Sequence, residues 1–296
     1  MARRFGTLQA TVLGVLADVN DDCVSTGFAR SQRYTLGAVV GRVDSKERFS
    51  DRVDDYVRYR PGYPLELRDL FVRVCRLGPG RVVADVGSGT GILSRTLLAT
   101  GARVIGVEPN SPMRGAAERA FSEDANFVSL AGSAEATTLE DASVDAIAAG
   151  QAFHWFDPSA ARIEFARVLR AGGYVVLAWN RRKDSPLDRD YEAMLDELAP
   201  DYAHVRARDR ASSGPGLEAF FAPSAVTFVR FDNEQRFDEE GLRGRLASSS
   251  YAPRPGEANH GAIMERLGKI FQIHAVGGVV TFLYDTEVWY GRLDGP

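Results

Sequence analysis

Asp85-Val86-Gly87-Ser88-Gly89-Thr90-Gly91 joins an apolar run, Arg81-Val82-Val83-Ala84-Asp85-Val86, to a stretch with helical spacing, Gly91 to Thr100. An apolar run bounded by glycines predicts a buried strand, and Ile92, Leu93, Leu97 and Leu98 give the next segment the inward stripe of a helix. A glycine-rich turn from strand to helix lies at the carboxyl edge of an open α/β sheet, where ligands bind. Glycines there allow backbone to approach a ligand with no Cβ in the way. The spacing is G-x-G-x-G. A dinucleotide fingerprint would need glycine at position 92, where this chain has Ile92. Asp85, two residues before the first glycine, can accept a hydrogen bond from a cationic ligand group or hold the loop.

On both sides of this turn, strands and helices alternate. A helix is expected over 65–77, with Leu67, Leu70, Phe71 and Val74 on one side, after the break Arg60-Pro61-Gly62-Tyr63-Pro64. Strands are expected at 103–107, 127–130, 144–149 and 174–179, and a helix over 112–121. Asp157 before Pro158 predicts a helix start, because the proline lacks an N–H that would be orphaned there. That helix is expected to run through Ile163, Ala166 and Leu169 and to end at Gly172-Gly173. Strands without a polar face of their own indicate a parallel sheet covered on both sides. Beyond Trp179 a polar helix is expected over 181–198, a strand over 225–231, helices over 239–248 and 260–274, and a strand or strand pair over 279–290.

Glu108 ends the second strand, 19 residues after Gly89, where a carboxylate can accept both hydroxyls of a ribose. The rest of the composition narrows the field. At 296 residues, 45% hydrophobic and 26% charged, the chain can bury a full core in one large domain or two small ones. A net charge of −4 argues against a general nucleic-acid-binding surface. Cys23 and Cys75 have neither metal spacing nor a disulfide pattern, and the four histidines are scattered, so no metal is expected. No segment has the roughly 18–20 apolar residues that would span a bilayer. A cytoplasmic location and no membrane partner are therefore expected. Residues 1–42 fit poorly with the rest of the chain and are read as a poorly ordered extension, which leaves 43–296 as the working domain.

With these residues in place, the chain resembles the class I S-adenosylmethionine-dependent methyltransferases. The glycine turn and Val107-Glu108-Pro109 match the family's first two motifs, and Gly132-Ser133-Ala134-Glu135 matches the segment beside the adenine. Ser133 stands where many relatives have Asp. Gln151-Ala152-Phe153-His154-Trp155-Phe156-Asp157 and the Arg60-to-Pro64 break are similar to the small-molecule subgroup that includes trans-aconitate methyltransferase-like (methyltransferase type 11) enzymes. The resemblance implies a seven-stranded Rossmann-like sheet of order 3-2-1-4-5-7-6 with helices on both faces and a small helical lid. The cofactor core would span about 65–182, and the lid and last strands about 183–296.

The resemblance also implies S-adenosylmethionine as cofactor and a small-molecule methyl acceptor. Asp85, Gly87, Ser88, Gly89, Gly91, Glu108, Pro109, Met113, Ser133, Ala134, Glu135 and Gln151 are the expected cofactor residues. His154 is the candidate base, since histidine titrates near neutral pH. Phe153, Trp155 and Phe156 are candidate walls of the site. Tyr56, Arg60, Trp155 and Tyr251 are the candidate substrate residues. A guanidinium such as Arg60 suits a carboxylate, so a carboxylate oxygen is the favoured acceptor. Two other readings are a nicotinamide-dependent oxidoreductase and a non-catalytic S-adenosylmethionine-binding module. Ile92 and the lack of a recognisable Tyr-Lys pair argue against the first, and the Phe-His-Trp-Phe-Asp run against the second.

Overall fold

A computed structural model describes residues 57–211 and 215–293 of the chain. The expected 1–42 extension and Tyr56 lie outside the described residues. Residues 57–59 are helical, and the broken segment 60–64 leads into α1 (Leu65–Arg73). Next come β1 (Val82–Val86), α2 (Ile92–Leu98), β2 (Arg103–Val107), α3 (Ser111–Ala120), β3 (Phe127–Leu130) and β4 (Val144–Gly150). A short 3-10 turn, Phe153–Trp155, precedes α4 (Pro158–Val168) and β5 (Leu169–Arg182). The remainder is α5 (Pro186–Leu198), α6 (Tyr202–Ala211), α7 (Pro215–Phe221), β6 (Val226–Phe237), α8 (Glu239–Ala247), α9 (His260–His274) and β7 (Val280–Gly291).

The strands form one seven-stranded sheet of order β3-β2-β1-β4-β5-β7-β6. β1 to β5 pair in parallel, and β7 enters antiparallel between β5 and β6. Successive side chains of a strand point to opposite faces. Val83 packs with Leu67, Phe71, Leu93 and Leu97 of α1 and α2. Its neighbours Ala84 and Val86 join Phe165 of α4 and Phe220 of α7 on the other face. Both faces are therefore covered, which is why β1 and β4 are apolar almost throughout. A further core gathers α5, α8 and α9 around the far ends of β6 and β7, through Leu195, Leu246, Leu267, Phe237 and Phe282. Tyr59 packs in that same core.

The order of the sheet is the expected one, but several element boundaries are not. Gly172-Gly173 does not end α4. The helix stops at Val168, and Leu169, already extended at ψ 137°, pairs with Val144 as the start of β5. The two glycines lie inside that strand beside a register shift. A Cβ on Gly173 would lie 3.0 Å from the carbonyl oxygen of Asp145, so a close backbone approach explains the residue. Ile163 is 73% exposed, whereas Ala161, Glu164, Phe165 and Val168 face inward. The polar residues Arg181 and Arg182 extend β5, where they pair with Asp285 and Tyr284 of β7, and the helix starts only at Pro186, capped by Ser185. α1 ends at Arg73, short of Leu77, and β6 runs on to Phe237. Among the described residues, no helix is long and apolar enough to cross a membrane.

Candidate functional site

The glycine turn folds back over the end of β2, where Val107 O accepts from the N–H groups of Gly87 (2.8 Å) and Ser88 (3.2 Å). Gly87 has φ +68°, and a Cβ there would lie 2.6 Å from the Cβ of Ala152, so both conformation and space require glycine. Ser88 and Gly89 line a cavity of about 1070 Å³. Gly91 does not line it. It starts α2, and a Cβ on it would strike the Phe121 ring at 2.4 Å, so it packs behind the loop.

Asp85 is fully buried at the end of β1 and lines the cavity. Its Oδ2 accepts from Ser94 Oγ at 2.6 Å, and among the described residues its Oδ1 has no hydrogen-bond partner. Burial pushes this carboxyl up to about 7, against the pull of the Ser94 hydrogen bond and with a further upward push from the charge of Glu108. A buried acceptor left unmade costs about 1–3 kcal/mol, so Asp85 fits a ligand donor. Glu108 is also buried in the cavity wall. Its Oε2 accepts from Gly89 N–H and its Oε1 from Asn110 N–H, both at 2.8 Å. Burial raises its proton affinity, while the two N–H bonds and Arg114 oppose that. Each oxygen has lone-pair capacity beyond its one N–H bond, enough to take a hydroxyl as well.

The adenine-side candidates border the same cavity. Asn110 caps α3 by accepting from Met113 N–H at 2.9 Å, and this seats Met113 with its Cε 3.6 Å from where a Cβ on Gly89 would stand. Pro109 lies between Glu108 and this cap. Ser133 closes a tight bridge to Ala136, which sets Ala134 and Glu135 against the cavity. Glu135 reaches out to accept from Asp157 N–H at 2.9 Å, so its carboxylate serves the start of α4.

Gln151 has φ +56°, a conformation that costs a non-glycine residue about 1–3 kcal/mol and clusters at functional sites. Its side-chain amide donates to Asn180 O at 3.1 Å. His154, Trp155 and Phe156 border the cavity, with the His154 ring against Trp155. Phe153, expected beside them, instead sits in the core in edge contacts with Phe156, Trp179 and Phe220.

Arg60 and Tyr251 line the same cavity. The Arg60 guanidinium donates to Ser248 O at 3.0 Å. Burial pushes the Tyr251 phenol up, but the guanidiniums of Arg245, Arg182 and Arg60 and a hydrogen bond with Ser249 outweigh it and hold it below the ordinary tyrosine value. The sequence pattern does not reveal several members of this wall. Asn180 donates to Gly62 O at 3.0 Å and accepts from Thr286 Oγ1 at 2.6 Å, tying the 60–64 segment to β5 and β7. Asn233 of β6 also donates to Gly62 O, at 2.9 Å. Arg245 and Tyr284 lie in polar or alternating stretches that carry no ligand-binding signature. Asn110 could have been found, since Asn before Ser-Pro is a helix-cap pattern. Among the described residues, no cluster of His, Cys, Asp or Glu is placed to hold a metal.

Residues 84–177 match a family model described as a methyltransferase domain. An uncharacterised methyltransferase of Mycobacterium tuberculosis is 40% identical over 143 residues, 48% of this chain and 56% of that protein. An uncharacterised methyltransferase-like protein of Schizosaccharomyces pombe is 33% identical over 138 residues, 46% of this chain and 53% of its own length. The chain thus spans about half the length of these relatives. Among solved structures, a candidate type II methyltransferase from Anaeromyxobacter dehalogenans aligns with a TM-score of 0.56 at 24% identity, covering 79% of this chain and 98% of its own. A candidate methyltransferase from an antibiotic biosynthesis pathway of Anabaena variabilis aligns with 0.56 at 22% identity, covering 80% and 100%. These likenesses share the fold. An uncharacterised methyltransferase of Anoxybacillus flavithermus is 30% identical over 170 residues, 53% of this chain and 74% of that protein, and with the 84–177 domain this shows that the chain belongs to the methyltransferases.

Proposed function

We propose that the chain transfers a methyl group from S-adenosylmethionine to a small-molecule acceptor. The observation that carries this reading is the pairing of Asp85 and Glu108 in one cavity wall with the glycine turn. Asp85 Oδ1 is a buried acceptor in need of a donor, which suits an ammonium group. Glu108 is held by two N–H groups with capacity left for ribose hydroxyls. Ser88, Gly89 and Met113 close this end, Pro109 and the 133–135 turn flank it, and Gln151 faces it from the end of β4. When bound, S-adenosylmethionine supplies an electrophilic methyl on a sulfonium whose neutral thioether leaves with the bonding pair.

The chain's own task is then positioning and exclusion of water. At about 1070 Å³, the cavity lies just above the roughly 300–1,000 Å³ typical of single-ligand sites. That leaves room for an acceptor beside the cofactor. Arg60, Trp155 and Tyr251 are its proposed walls, and His154, which borders the cavity, is the proposed base for an acceptor that needs to lose a proton. A carboxylate oxygen, already ionised, would not need that base. The helices after β5 are the proposed lid. Calorimetry tests the reading: S-adenosylmethionine and S-adenosylhomocysteine should both bind, and Glu108→Ala should weaken each at least tenfold. No heat of binding with either ligand would sink it.

A further inference from the structure

Arg245 is a buried cation with no carboxylate beside it among the described residues. It stands in the last turn of α8, 6% exposed, and lines the cavity. Its Nη1 donates to Ser249 Oγ at 3.1 Å, its other polar neighbours are the hydroxyls of Tyr284, Tyr191 and Tyr251, and its buried Nε has no acceptor among the described residues. Four other arginines of the cavity wall are each paired. Arg181 meets Glu287 at 2.9 Å, Arg182 meets Asp188 at 3.0 Å, Arg189 meets Asp184 at 2.8 Å, and Arg206 meets Asp196 at 3.1 Å. A guanidinium cannot shed its proton, and an uncompensated buried charge costs several kcal/mol. Placement near a helix C-terminus offsets some of that cost. It does not account for a buried guanidinium with an unused donor in a residue of the cavity wall, where an anion would neutralise the charge.

Tyr251 sharpens the position. Its phenol shares the positive field of Arg245, Arg182 and Arg60, so the surroundings favour negative charge at that spot. We propose that Arg245, with the Tyr251 hydroxyl and Arg60 beside it, seats a carboxylate of the acceptor, so that the substrate is an organic acid. The fork of a guanidinium matches the two oxygens of a carboxylate, and a phenol adds a third donor. This assignment rests on the methyltransferase reading.

The test is calorimetry on the full chain saturated with S-adenosylhomocysteine, titrated with benzoate and hexanoate and in parallel with their neutral isosteres, benzamide and hexanamide. At least one acid should bind ten times more tightly than its amide. Arg245→Gln should erase that preference while S-adenosylhomocysteine affinity stays within twofold, and Arg245→Lys, a point charge without the fork, should restore only part of it. Equal binding of acids and amides by the wild-type chain would overturn the proposal, as would a preference that survives in Arg245→Gln. The wild-type comparison stands even if the glutamine variant fails to fold. Failure of S-adenosylhomocysteine itself to bind is a separate result, and it would overturn the methyltransferase reading instead.

Discussion

Asp85 concentrates the chemistry of the site in one carboxyl group. Folded, it keeps its proton up to about pH 7, against an ordinary value of 3.8. Between those values the folded chain holds a proton that the unfolded chain has released, so stability falls as pH rises from about 4 to about 7. Binding of a cationic ligand group reverses the preference, because it needs the carboxylate. Affinity for S-adenosylhomocysteine should therefore weaken by roughly tenfold per pH unit below 7. Asp85→Asn should flatten both profiles and leave binding weak throughout, which calorimetry and denaturant titration from pH 5 to 8 would check. A wild-type affinity that does not change with pH would refute this role. Asp85 and Glu108 were legible in the sequence because turn spacing and strand-end position are local features. Arg245 was not, because it becomes a wall residue only when α8 folds against β6 and β7, and nothing in Gly244-Arg245-Leu246 announces that.

Among the elements, α4 shows how a helix fixes a loop of the site. Glu164 on its inner side accepts from Thr137 N–H at 2.8 Å and from the Thr137 hydroxyl, so it anchors the turn that carries Ser133, Ala134 and Glu135. Arg167, one turn on, donates to Glu164 at 2.7 Å and to Asp141 at 2.6 Å. The Arg167 bonds lead, and with the Thr137 contacts they hold the Glu164 carboxyl down at about 2 against the push of desolvation. Its contribution is present above about pH 4.5 and is lost as pH falls toward 2. Glu164→Gln should cost about 1 kcal/mol at neutral pH, since Arg167 is partly solvated, and the gap to wild type should close toward pH 3. Chemical denaturation at pH 7, 5 and 3 would show this, and a pH-independent gap would contradict it. The start of α4 was legible from Asp157-Pro158, a local cap. Its end was not, because glycines usually stop helices, whereas here Gly173 serves a close approach to Asp145 in the neighbouring strand. The strand character of Arg181 and Arg182 was equally hidden, since it depends on β7, about a hundred residues further on.

At the scale of the whole molecule, the late helices reach the site through the segment before α1. Tyr59 is buried against α8, its carbonyl accepts from Gln235 Nε2 at 3.1 Å, and Arg60 next to it donates to Ser248 O. The order of the sheet was legible from the motifs, but this clasp was not, because it joins residues more than 170 positions apart. Gly244 makes it possible. A Cβ at this position would stand 2.1 Å from the Tyr59 ring, a distance that no rotation of a methyl relieves. Two effects of Gly244→Ala therefore compete. Inside an exposed helix, alanine would stabilise by about 1 kcal/mol over glycine. Here the ring must leave its slot, and overpacking of this kind costs typically about 1–3 kcal/mol. The clash should win, so Gly244→Ala should be the less stable protein by about 1–2 kcal/mol, a sign opposite to helix propensity. Affinity for S-adenosylhomocysteine should change less than twofold, because Asp85, the glycine turn and Glu108 lie at the carboxyl ends of β1 and β2 and do not depend on the clasp. A more stable Gly244→Ala variant would mean that Tyr59 does not occupy this slot, and the seat of the 60–64 segment would then rest on the bonds of Gly62 O to Asn180 and Asn233 rather than on the clasp.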